Sequence, residues 1–370
     1  MPTSLTHIAI SGYKSIEKMS LGLGPLNVLI GPNGAGKSNL VSFFKLLNEM
    51  MGDRLQDFIG RSGGADCLLF YGKKTTTQIE AALTFQTEVG ENKYSLRLAH
   101  AAGETLIFTE ERVHFQRERH PGKPYEKSLG AGHRETRLHE VTEEGDLTAK
   151  SIRWLLNNCR VFQFHDTSDT SKMRGICYIN DNRFLRHDAG NLAAILYKLR
   201  EMQEAAYHQI VGTIRQIAPW FGDFVLEPME LNRESILLDW QEKGVDEVFG
   251  PHQISDGTLR AMALITLFLQ PKENLPSVMV IDEPELGLHP SAIVVLAALV
   301  RQAACHCQIM LATQSTCLLD EFETEDIIVV DREDRRSTFR RLEPNELGEW
   351  LEDYSLSELW EKNVIGGGPA

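Results

Sequence analysis

The sequence predicts an α/β fold with a mostly parallel core sheet, an antiparallel β lobe and a helical lobe. Residues 27–30 and 278–281 are short apolar runs, typical of strands buried on both faces of a parallel sheet. From residue 75 to 140 polar and apolar residues alternate, which indicates antiparallel strands. Residues 191–219 have helical periodicity. At 370 residues, the chain can form two ordinary domains or one elaborated α/β domain with an insertion.

A glycine-rich loop separates the first apolar run from a predicted helix at residues 39–47. Between a strand and a helix, glycines let the backbone turn tightly and point its N–H groups at phosphates, which the helix N-terminus also attracts. Lys37 supplies a positive charge to the γ-phosphate, and the Ser38 hydroxyl is the expected Mg²⁺ ligand. The predicted ATP-binding residues of this segment are Gly31, Pro32, Asn33, Gly34, Ala35, Gly36, Lys37, Ser38 and Asn39.

The alternating region contains predicted strands at residues 78–86, 94–99 and 106–115. Residues 112–137, at its end, are rich in basic side chains and also contain glutamate, proline and glycine. Two interpretations stay open for this stretch: a solvated hairpin tip, or a surface that contacts a phosphate backbone. Its basic residues are Arg112, Arg117, Arg119, Lys123, Lys127, Arg134 and Arg137.

Ser255, Asp256 and Gly257 begin an apolar-periodic helix at residues 259–269. Serine before a helix is N-cap chemistry, and it leaves a hydroxyl and backbone N–H groups at the helix N-terminus. This terminus can bind a γ-phosphate, yet the phosphate loop already surrounds the chain's own ATP. The simplest interpretation is that Ser255 and Gly257 reach the nucleotide of a second subunit, so a homodimer forms on ATP binding.

The apolar run at residues 278–281 ends in two carboxylates, Asp282 and Glu283. Parallel sheets place their ligands at such strand ends. Asp282 is expected to hold the Mg²⁺ shell through water, and Glu283 to polarise the attacking water. The alternative is an acidic surface turn in which Pro284 ends the strand. It is less favoured here because a phosphate loop precedes this segment in the chain.

Four segments occur in an informative order: GPNGAGKS at residues 31–38, ISDGTLR at 254–260, VIDEPELGLHP at 280–290 and LATQS at 311–315. As a set they resemble the ATPase head shared by SMC proteins, RecF proteins and ABC-type ATPases. The chain is most similar to compact bacterial AAA-family ATPases close to the overcoming-lysogenization-defect (OLD) ATPases. The resemblance covers residues 8 to about 331 and implies a P-loop NTPase of the ABC/SMC-head type.

The resemblance also implies roles for individual residues. Ser255 would be a signature serine acting in trans, and residues 285–290 would form a D-loop. Gln163 corresponds to the Q-loop that senses Mg²⁺ and the γ-phosphate, which makes it a candidate metal ligand. Lys14 belongs to an aromatic–basic segment that lies near the nucleotide. The residues implied for catalysis are Glu283, Lys37 and the switch residue Gln314.

Two positions depart from the family pattern. Asp256 stands where many members have a second glycine, and Gln314 stands where transporters usually have histidine. An amide can orient water or phosphate but cannot carry a proton as imidazole does. Slow or partner-stimulated hydrolysis is therefore expected.

The predicted organisation is a single ATPase head over residues 1–370. Its predicted parts are the P-loop part (1–74), the antiparallel β lobe (75–160), the Q-loop and helical lobe (161–235), the signature, acidic-strand and switch part (236–335) and a C-terminal tail (336–370). Residues 236–240 are predicted to form a further strand. The tail could dock a partner or form a packed helix with a frayed end.

Composition excludes several classes of protein. The net charge of −14 argues against a wholly basic nucleic-acid binder and leaves room for a local basic patch. No leader and no apolar run near the length of a membrane span is recognised, so a cytoplasmic location without membrane attachment is expected. Six cysteines are scattered along the chain, and Cys305 and Cys307 are interpreted as buried thiols rather than metal ligands.

The leading functional prediction is an ATP-hydrolysing RecF/SMC-like protein that dimerises on ATP and acts on or with DNA. Repair, genome maintenance and phage defence are the settings that such proteins serve. The alternative is an ATP-sensing subunit that controls a separate protein such as a nuclease or toxin, because no nuclease motif follows Gln314. A transporter subunit is less favoured, since the β lobe and the missing switch histidine count against it.

Overall fold

The computed structural model describes residues 3–118, 122–348 and 350–368. The chain divides into two compact units, which are treated separately below. Unit 1 comprises Met1–Val161, Pro276–Asp282 and Cys307–Ala370, and unit 2 comprises Phe162–Leu275 and Glu283–His306. The five consecutive parts expected from the sequence stay a prediction.

The strands are β1 Ser4–Tyr13, β2 Ile16–Gly22, β3 Leu26–Ile30, β4 Gln78–Gln86, β5 Gly90–Ala101, β6 Thr105–Arg117, β7 Tyr125–Gly130, β8 Cys159–Phe162, β9 Cys177–Tyr178, β10 Phe221–Val225, β11 Pro228–Met229, β12 Asn232–Ile236, β13 Asp239–Glu242, β14 Val248–Phe249, β15 Val278–Asp282, β16 Gln308–Thr313, β17 Ile327–Glu333 and β18 Arg336–Arg341. The helices are α1 Lys37–Met51, α2 Leu55–Arg61, α3 Leu138–Glu143, α4 Leu147–Asn157, α5 Leu192–Met202, α6 Glu204–Ile217, α7 Asp256–Leu269, α8 Pro290–Ala304, α9 Thr316–Leu319, α10 Pro344–Leu347, α11 Trp350–Asp353 and α12 Leu356–Glu361.

The core of unit 1 is a mixed sheet in the order β18-β17-β3-β16-β15-β8. Strands β17, β3, β16 and β15 run parallel, while β18 is antiparallel to β17. Every residue of β3, β15 and β16 is buried, which confirms the apolar runs as strands covered on both faces. Helix α1 packs on this sheet against β15 and β16.

The second sheet of unit 1 is antiparallel, in the order β2-β1-β4-β5-β6-β7. Burial alternates along β4, as expected for a strand with one face on a core and one face in water. This confirms the predicted β lobe. The sheet also includes β1 and β2, which lie outside the predicted boundaries of that lobe, because β1 pairs with β4 through register Ile8↔Leu83. Helices α3 and α4 follow β7, and Asp146 caps α4 by accepting a hydrogen bond from the Ala149 N–H.

Unit 2 contains helices α5 to α8 and two small three-stranded sheets, β10-β13-β14 and β11-β12-β9. The prediction of one strand at residues 236–240 is wrong. Strand β12 ends at Ile236 and pairs with β9, whereas β13 begins at Asp239 and pairs with β10. Ile236, Leu238 and Trp240 are all buried, so the alternation of side chains continues while the hydrogen-bonded neighbour changes. Side-chain alternation by itself cannot reveal such a switch between sheets.

Residues 356–368 of the C-terminal tail pack against other parts of unit 1. Ser357 donates through its N–H and its hydroxyl to the Asp320 carboxylate, at 2.8 and 2.6 Å. Leu359 is fully buried, Trp360 is 5% exposed, and the Trp360 indole donates to the carbonyl of Gly367. These contacts favour the packed-helix interpretation over a free docking segment. Pro369 and Ala370 lie outside the described residues.

Among the described residues, no helix has both the length and the apolar character that crossing a bilayer requires.

Candidate functional site

The phosphate loop lies in unit 1 between β3 and α1. The Lys37 side chain is 5% exposed, and its amine donates to the carbonyls of Gly31 and Pro32, the latter at 3.2 Å. Gly34 and Gly36 have φ of 80° and 120°, a backbone conformation that side chains disfavour. The loop therefore holds the lysine amine against the carbonyls of its own first residues, close to the N-terminus of α1. This arrangement suits an anion such as a nucleotide phosphate.

Neighbouring segments of unit 1 pack closely behind this loop. A Cβ at Gly31 would overlap the carbonyl oxygen of Val330 in β17, and a Cβ at Gly36 would overlap the Ser337 hydroxyl. Ser337 donates to the Ala35 carbonyl and lies 2.6 Å from the Ser15 hydroxyl. These two glycines are therefore required by the packing of β17 and β18, besides any role toward a phosphate.

Gly36→Ala is expected to destabilise unit 1 by about 3 kcal/mol, because it combines an unfavourable φ with overpacking against Ser337. Gly34→Ala is the matched control. It has the same kind of φ, but its nearest neighbour would be 4.0 Å away, so a loss of about 1 kcal/mol is expected. Urea unfolding of the two variants measures both values. Equal losses would contradict the packing explanation.

Asp282 is the last residue of β15. In the sheet, β16 lies between β15 and the strand β3 that precedes the phosphate loop. Its side chain is 5% exposed. Burial lowers the pKa of Lys45 in α1, and the Asp282 carboxylate opposes that shift, so the two groups interact electrostatically. Glu283 follows directly with φ of 43°, in the left-handed region that non-glycine residues seldom adopt and that clusters at functional sites.

The Ser38 hydroxyl and the Asp282 carboxylate fit Mg²⁺ as ligands, because this ion prefers hard oxygen donors and takes few of them from the protein in nucleotide sites. Ser38 lies in the first turn of α1, and Asp282 lies at the end of a parallel strand in the same unit. Within the described residues, no group of three or more His, Cys, Asp or Glu side chains could hold a metal ion. A metal at this position would therefore depend on the phosphates as well as on these two residues.

The aromatic–basic segment before the loop is well ordered by local contacts. Tyr13 is fully buried and its hydroxyl lies 2.9 Å from that of Ser42, while the Lys14 amine donates to the same hydroxyl at 2.7 Å. Burial, and then the nearby Lys45 charge, lower the pKa of Lys14. The Asn39 amide donates to the Ser15 hydroxyl at 2.6 Å. The segment thus contacts the first two turns of α1.

The predicted signature segment lies in unit 2, at the exposed N-terminus of α7. The Ser255 hydroxyl accepts from the Thr258 N–H at 3.3 Å and lies 2.8 Å from the Thr258 hydroxyl, as expected for an N-cap. A Cβ at Gly257 would overlap the carbonyl region of Gly287. Gly257 is therefore required by the close approach of the predicted D-loop, besides any role toward a phosphate.

Two buried arginines support this helix start. Arg174 donates to the carbonyls of Thr167, Pro251 and Ile254 and pairs with Asp256 at 2.8 Å. Arg260, in α7 itself, is held by three backbone carbonyls. They belong to Phe164 at 2.8 Å, His165 at 3.1 Å and Leu286. Burial lowers the pKa of Arg260.

Sequence reasoning assigned no role to either arginine. Arg260 closes the ISDGTLR segment, so its position in the motif was a usable signal. Arg174 lies in an irregular link, and its partners near the start of α7 lie 77 to 82 residues away in the chain, so no sequence pattern identifies it. Ser337 was missed for the same reason.

The remaining predicted residues are placed as follows. Gln163 follows β8, and its N–H donates to the His187 carbonyl at 2.9 Å. Gln314 follows β16, and the next residue, Ser315, caps α9. The candidate residues in unit 1 are Lys14, Gly31, Pro32, Asn33, Gly34, Ala35, Gly36, Lys37, Ser38, Asn39, Asp282 and Gln314, and those in unit 2 are Gln163, Ser255, Gly257 and Glu283.

Acidic neighbours neutralise several basic residues of the stretch 112–137. Arg112 pairs with Glu110 at 2.5 Å and with Glu126 at 2.8 Å. Lys127 lies 3.4 Å from Asp146. These pairs favour the solvated hairpin over a phosphate-contact surface. Further along, Arg137 lies 3.6 Å from Glu140. Arg119 lies outside the described residues.

Of the two thiols predicted to be buried in the Cys305–Cys307 segment, Cys307 is buried and Cys305 is not. Cys307 is buried, and burial raises its pKa to about 12. Cys305 is exposed at the C-terminus of α8, so the prediction of a buried thiol is wrong there. Apolar periodicity does not extend to the residue that ends a helix at the surface.

Comparisons with known proteins identify the family and the fold of this chain. A family profile described as AAA domain, putative AbiEii toxin, Type IV TA system, matches residues 26–320. Among curated protein sequences, none matches this chain. The narrower resemblance to OLD ATPases stays a prediction.

Solved Smc heads share the fold. The crystal structure of the SmcHead bound to the C-winged helix domain of ScpA has a TM-score of 0.62 at 17% identity, covering 94% of this chain and 99% of that one. An Smc head with an extended coiled coil, bound to the C-terminal domain of ScpA and derived from Pyrococcus furiosus, gives 0.59 at 16% identity over 95% and 99%. One from Pyrococcus yayanosii gives 0.56 at 12% identity over the same shares.

The extent of the family match, together with the phosphate loop and the parallel sheet that carries it, shows that the chain belongs to the family described as AAA domain, putative AbiEii toxin, Type IV TA system, and that it is a P-loop ATPase with the fold of Smc heads.

Proposed function

We propose that this protein binds and hydrolyses Mg-ATP, and that two copies close over two ATP molecules. The observation that carries the proposal is the exposed N-terminus of α7. Ser255 and Asp256 are exposed there, while Arg174 and Arg260 support the segment from the buried side. A rigidly supported helix N-terminus that remains open to solvent suits a phosphate delivered by another molecule.

Each residue then has a chemical role. The loop N–H groups and the Lys37 amine bind the β- and γ-phosphates, and Ser38 and Asp282 would hold Mg²⁺, which neutralises phosphate charge. Glu283 polarises the attacking water, and Gln314 orients it. Gln163 is proposed to sense the metal, and Lys14 is proposed to lie near the nucleotide. Because the Gln314 amide cannot accept and release a proton as imidazole does, turnover is expected to be slow without a partner.

We further propose that a separately encoded protein, such as a nuclease or toxin, binds the ATP-bound dimer and is controlled by it. The family description names a toxin of a Type IV TA system, and two of the similar Smc heads were solved with a domain of ScpA. The ion pairs of Arg112 and Lys127 with acidic neighbours support a protein partner over DNA. The proposed setting is the reducing cytoplasm, since all six cysteines are free thiols.

Action on DNA is the second candidate. Arg117, Lys123 and Arg134 are exposed in or near the hairpin of β6 and β7. Exposed cations along one edge can neutralise phosphates and release counterions. This candidate keeps repair, genome maintenance and phage defence as its settings.

Steady-state ATP hydrolysis by the purified chain, with and without linear double-stranded DNA, separates the two candidates. The Glu283→Gln variant is the blank. Severalfold stimulation by DNA that disappears at high salt supports the DNA candidate. Slow turnover that is indifferent to DNA, together with a co-purifying protein lost on Lys37→Ala, supports the protein partner. No hydrolysis above the blank under any condition contradicts the ATPase proposal.

A further inference from the structure

Asp256 poses an electrostatic problem for the proposed dimer. It occupies the first position of α7, next to the Ser255 cap, and its side chain is 68% exposed. A phosphate approaching the N-terminus of α7 would meet this carboxylate at short range, where like charges repel strongly. Many members of the resembled group have glycine here and present no such charge. A compensating cation is therefore needed close to Asp256.

Arg174 satisfies this requirement. Its side chain is 4% exposed, and its Nη2 lies 2.8 Å from the Asp256 carboxylate. The Nε group donates to the Thr167 carbonyl at 2.9 Å, and Nη1 donates to the carbonyls of Ile254, at 3.0 Å, and Pro251. Because the other donor groups are engaged by backbone carbonyls, the charge cannot rotate away from Asp256. A buried arginine with this geometry is an effective counter-charge.

We propose that Arg174 neutralises Asp256 so that ATP bound by a second copy can place its phosphates at the N-terminus of α7. This inference rests on the proposed ATP-driven dimer and names a residue pair that makes it work in this chain. Arg174 acts through Asp256 and the backbone at residues 251–254, so it is a positioning residue. The pair replaces the second glycine of the usual signature with a net-neutral acid and base.

Arg260 offers a matched comparison. It is also buried in unit 2, and its guanidinium donates to three backbone carbonyls instead of to a carboxylate. Asp256 raises the pKa of Arg260 only as a longer-range charge, against a larger effect of burial. Loss of Arg260 should therefore disturb the backbone without leaving Asp256 unneutralised.

The test measures the dimer dissociation constant in Mg-ATP by sedimentation velocity, with all variants made in the full chain carrying Glu283→Gln. Arg174→Gln is expected to weaken the dimer about tenfold or more. Adding Asp256→Gly to Arg174→Gln removes the unneutralised charge and should restore the dimer to within about threefold of Asp256→Gly alone. Any weakening of the dimer caused by Arg260→Gln should remain when Asp256→Gly is added, because Arg260 does not pair with Asp256. ATP binding by the monomeric species, measured with a fluorescent ATP analogue, should not change on Arg174→Gln.

If thermal unfolding shows that Arg174→Gln does not fold, a substitution of the exposed partner, Asp256, tests the inference instead. Asp256→Asn leaves the Arg174 charge in place and removes the carboxylate, so the dimer should be as tight as the parent or tighter. A tenfold weaker Asp256→Asn dimer would overturn the inference, and so would an Arg174→Gln defect that Asp256→Gly does not relieve. A parent that binds ATP but never dimerises would instead overturn the proposed function, and this inference with it.

Discussion

Lys37→Ala is expected to weaken ATP binding by roughly a hundredfold or more, equivalent to about 2.7 kcal/mol. The Lys37 amine lies inside the phosphate loop, against the Gly31 and Pro32 carbonyls, and supplies the loop's full positive charge. Alanine leaves the backbone N–H groups and removes the charge-assisted contact to the phosphates. Isothermal titration with Mg-ATP measures the change.

Lys150→Ala is the control for this substitution. Lys150 is an exposed lysine of α4 in the same unit, so the two variants change net charge and helix composition alike. The control should bind ATP as the parent does. If the ATP affinity of Lys37→Ala is within tenfold of the parent's, the glycine loop is not the nucleotide site. That result would contradict the proposed function.

Glu283→Gln is expected to lower the ATP hydrolysis rate by roughly a hundredfold to a thousandfold, while ATP binding stays intact. The amide keeps the size of the carboxylate but cannot polarise water as a general base. Because the nucleotide is then held without turnover, the ATP-bound dimer should accumulate. Phosphate release measures the first effect, and light scattering after size exclusion in Mg-ATP measures the second.

Glu273→Gln is the matched control, since Glu273 is an exposed glutamate of the same unit. It should hydrolyse ATP at the parent's rate and show no excess dimer. A Glu283→Gln protein that stays monomeric in Mg-ATP would remove the two-copy mechanism. One that still hydrolyses ATP at the parent's rate would place the general base elsewhere.

The phosphate loop and the buried strands could be predicted because their chemistry is contained in consecutive residues. Residues 28–30 are apolar, two of them are β-branched, and a glycine-rich loop follows; the structure places β3 and the loop there. The predicted strand at residues 78–86 has the same limits as β4. The periodicity of a segment depends on which of its side chains are buried, and for these strands that pattern was sufficient to predict their positions.

The sheet switch between Ile236 and Asp239 could not be predicted in this way. Hydrophobic alternation reports which face a side chain occupies, but it does not report which strand lies alongside. The same limit applies to β1 and β2, whose membership of the antiparallel sheet depends on the pairing of β1 with β4.

The basic stretch shows how pairing decides electrostatics. Its composition allowed either a solvated hairpin or a phosphate-contact surface. The antiparallel register of β6 and β7 places Arg112 opposite Ser128 and within 2.8 Å of Glu126, which is two residues earlier on the facing strand. Whether a basic side chain is paired with an acidic one depends on its neighbours on the facing strand. The number of basic and acidic residues in the sequence does not show this pairing.

The sequence by itself determined the α/β class, the phosphate loop with Lys37 and Ser38, the acidic strand end and the resemblance to ATPase heads. Only the tertiary structure revealed Arg174 and Arg260 as supports of α7 and Ser337 as the neighbour that requires Gly36. Their partners are mostly backbone carbonyls from distant parts of the chain, as with Arg174 and residues 251 and 254. A carbonyl carries no side-chain identity, so its place in space exists only once the chain has folded.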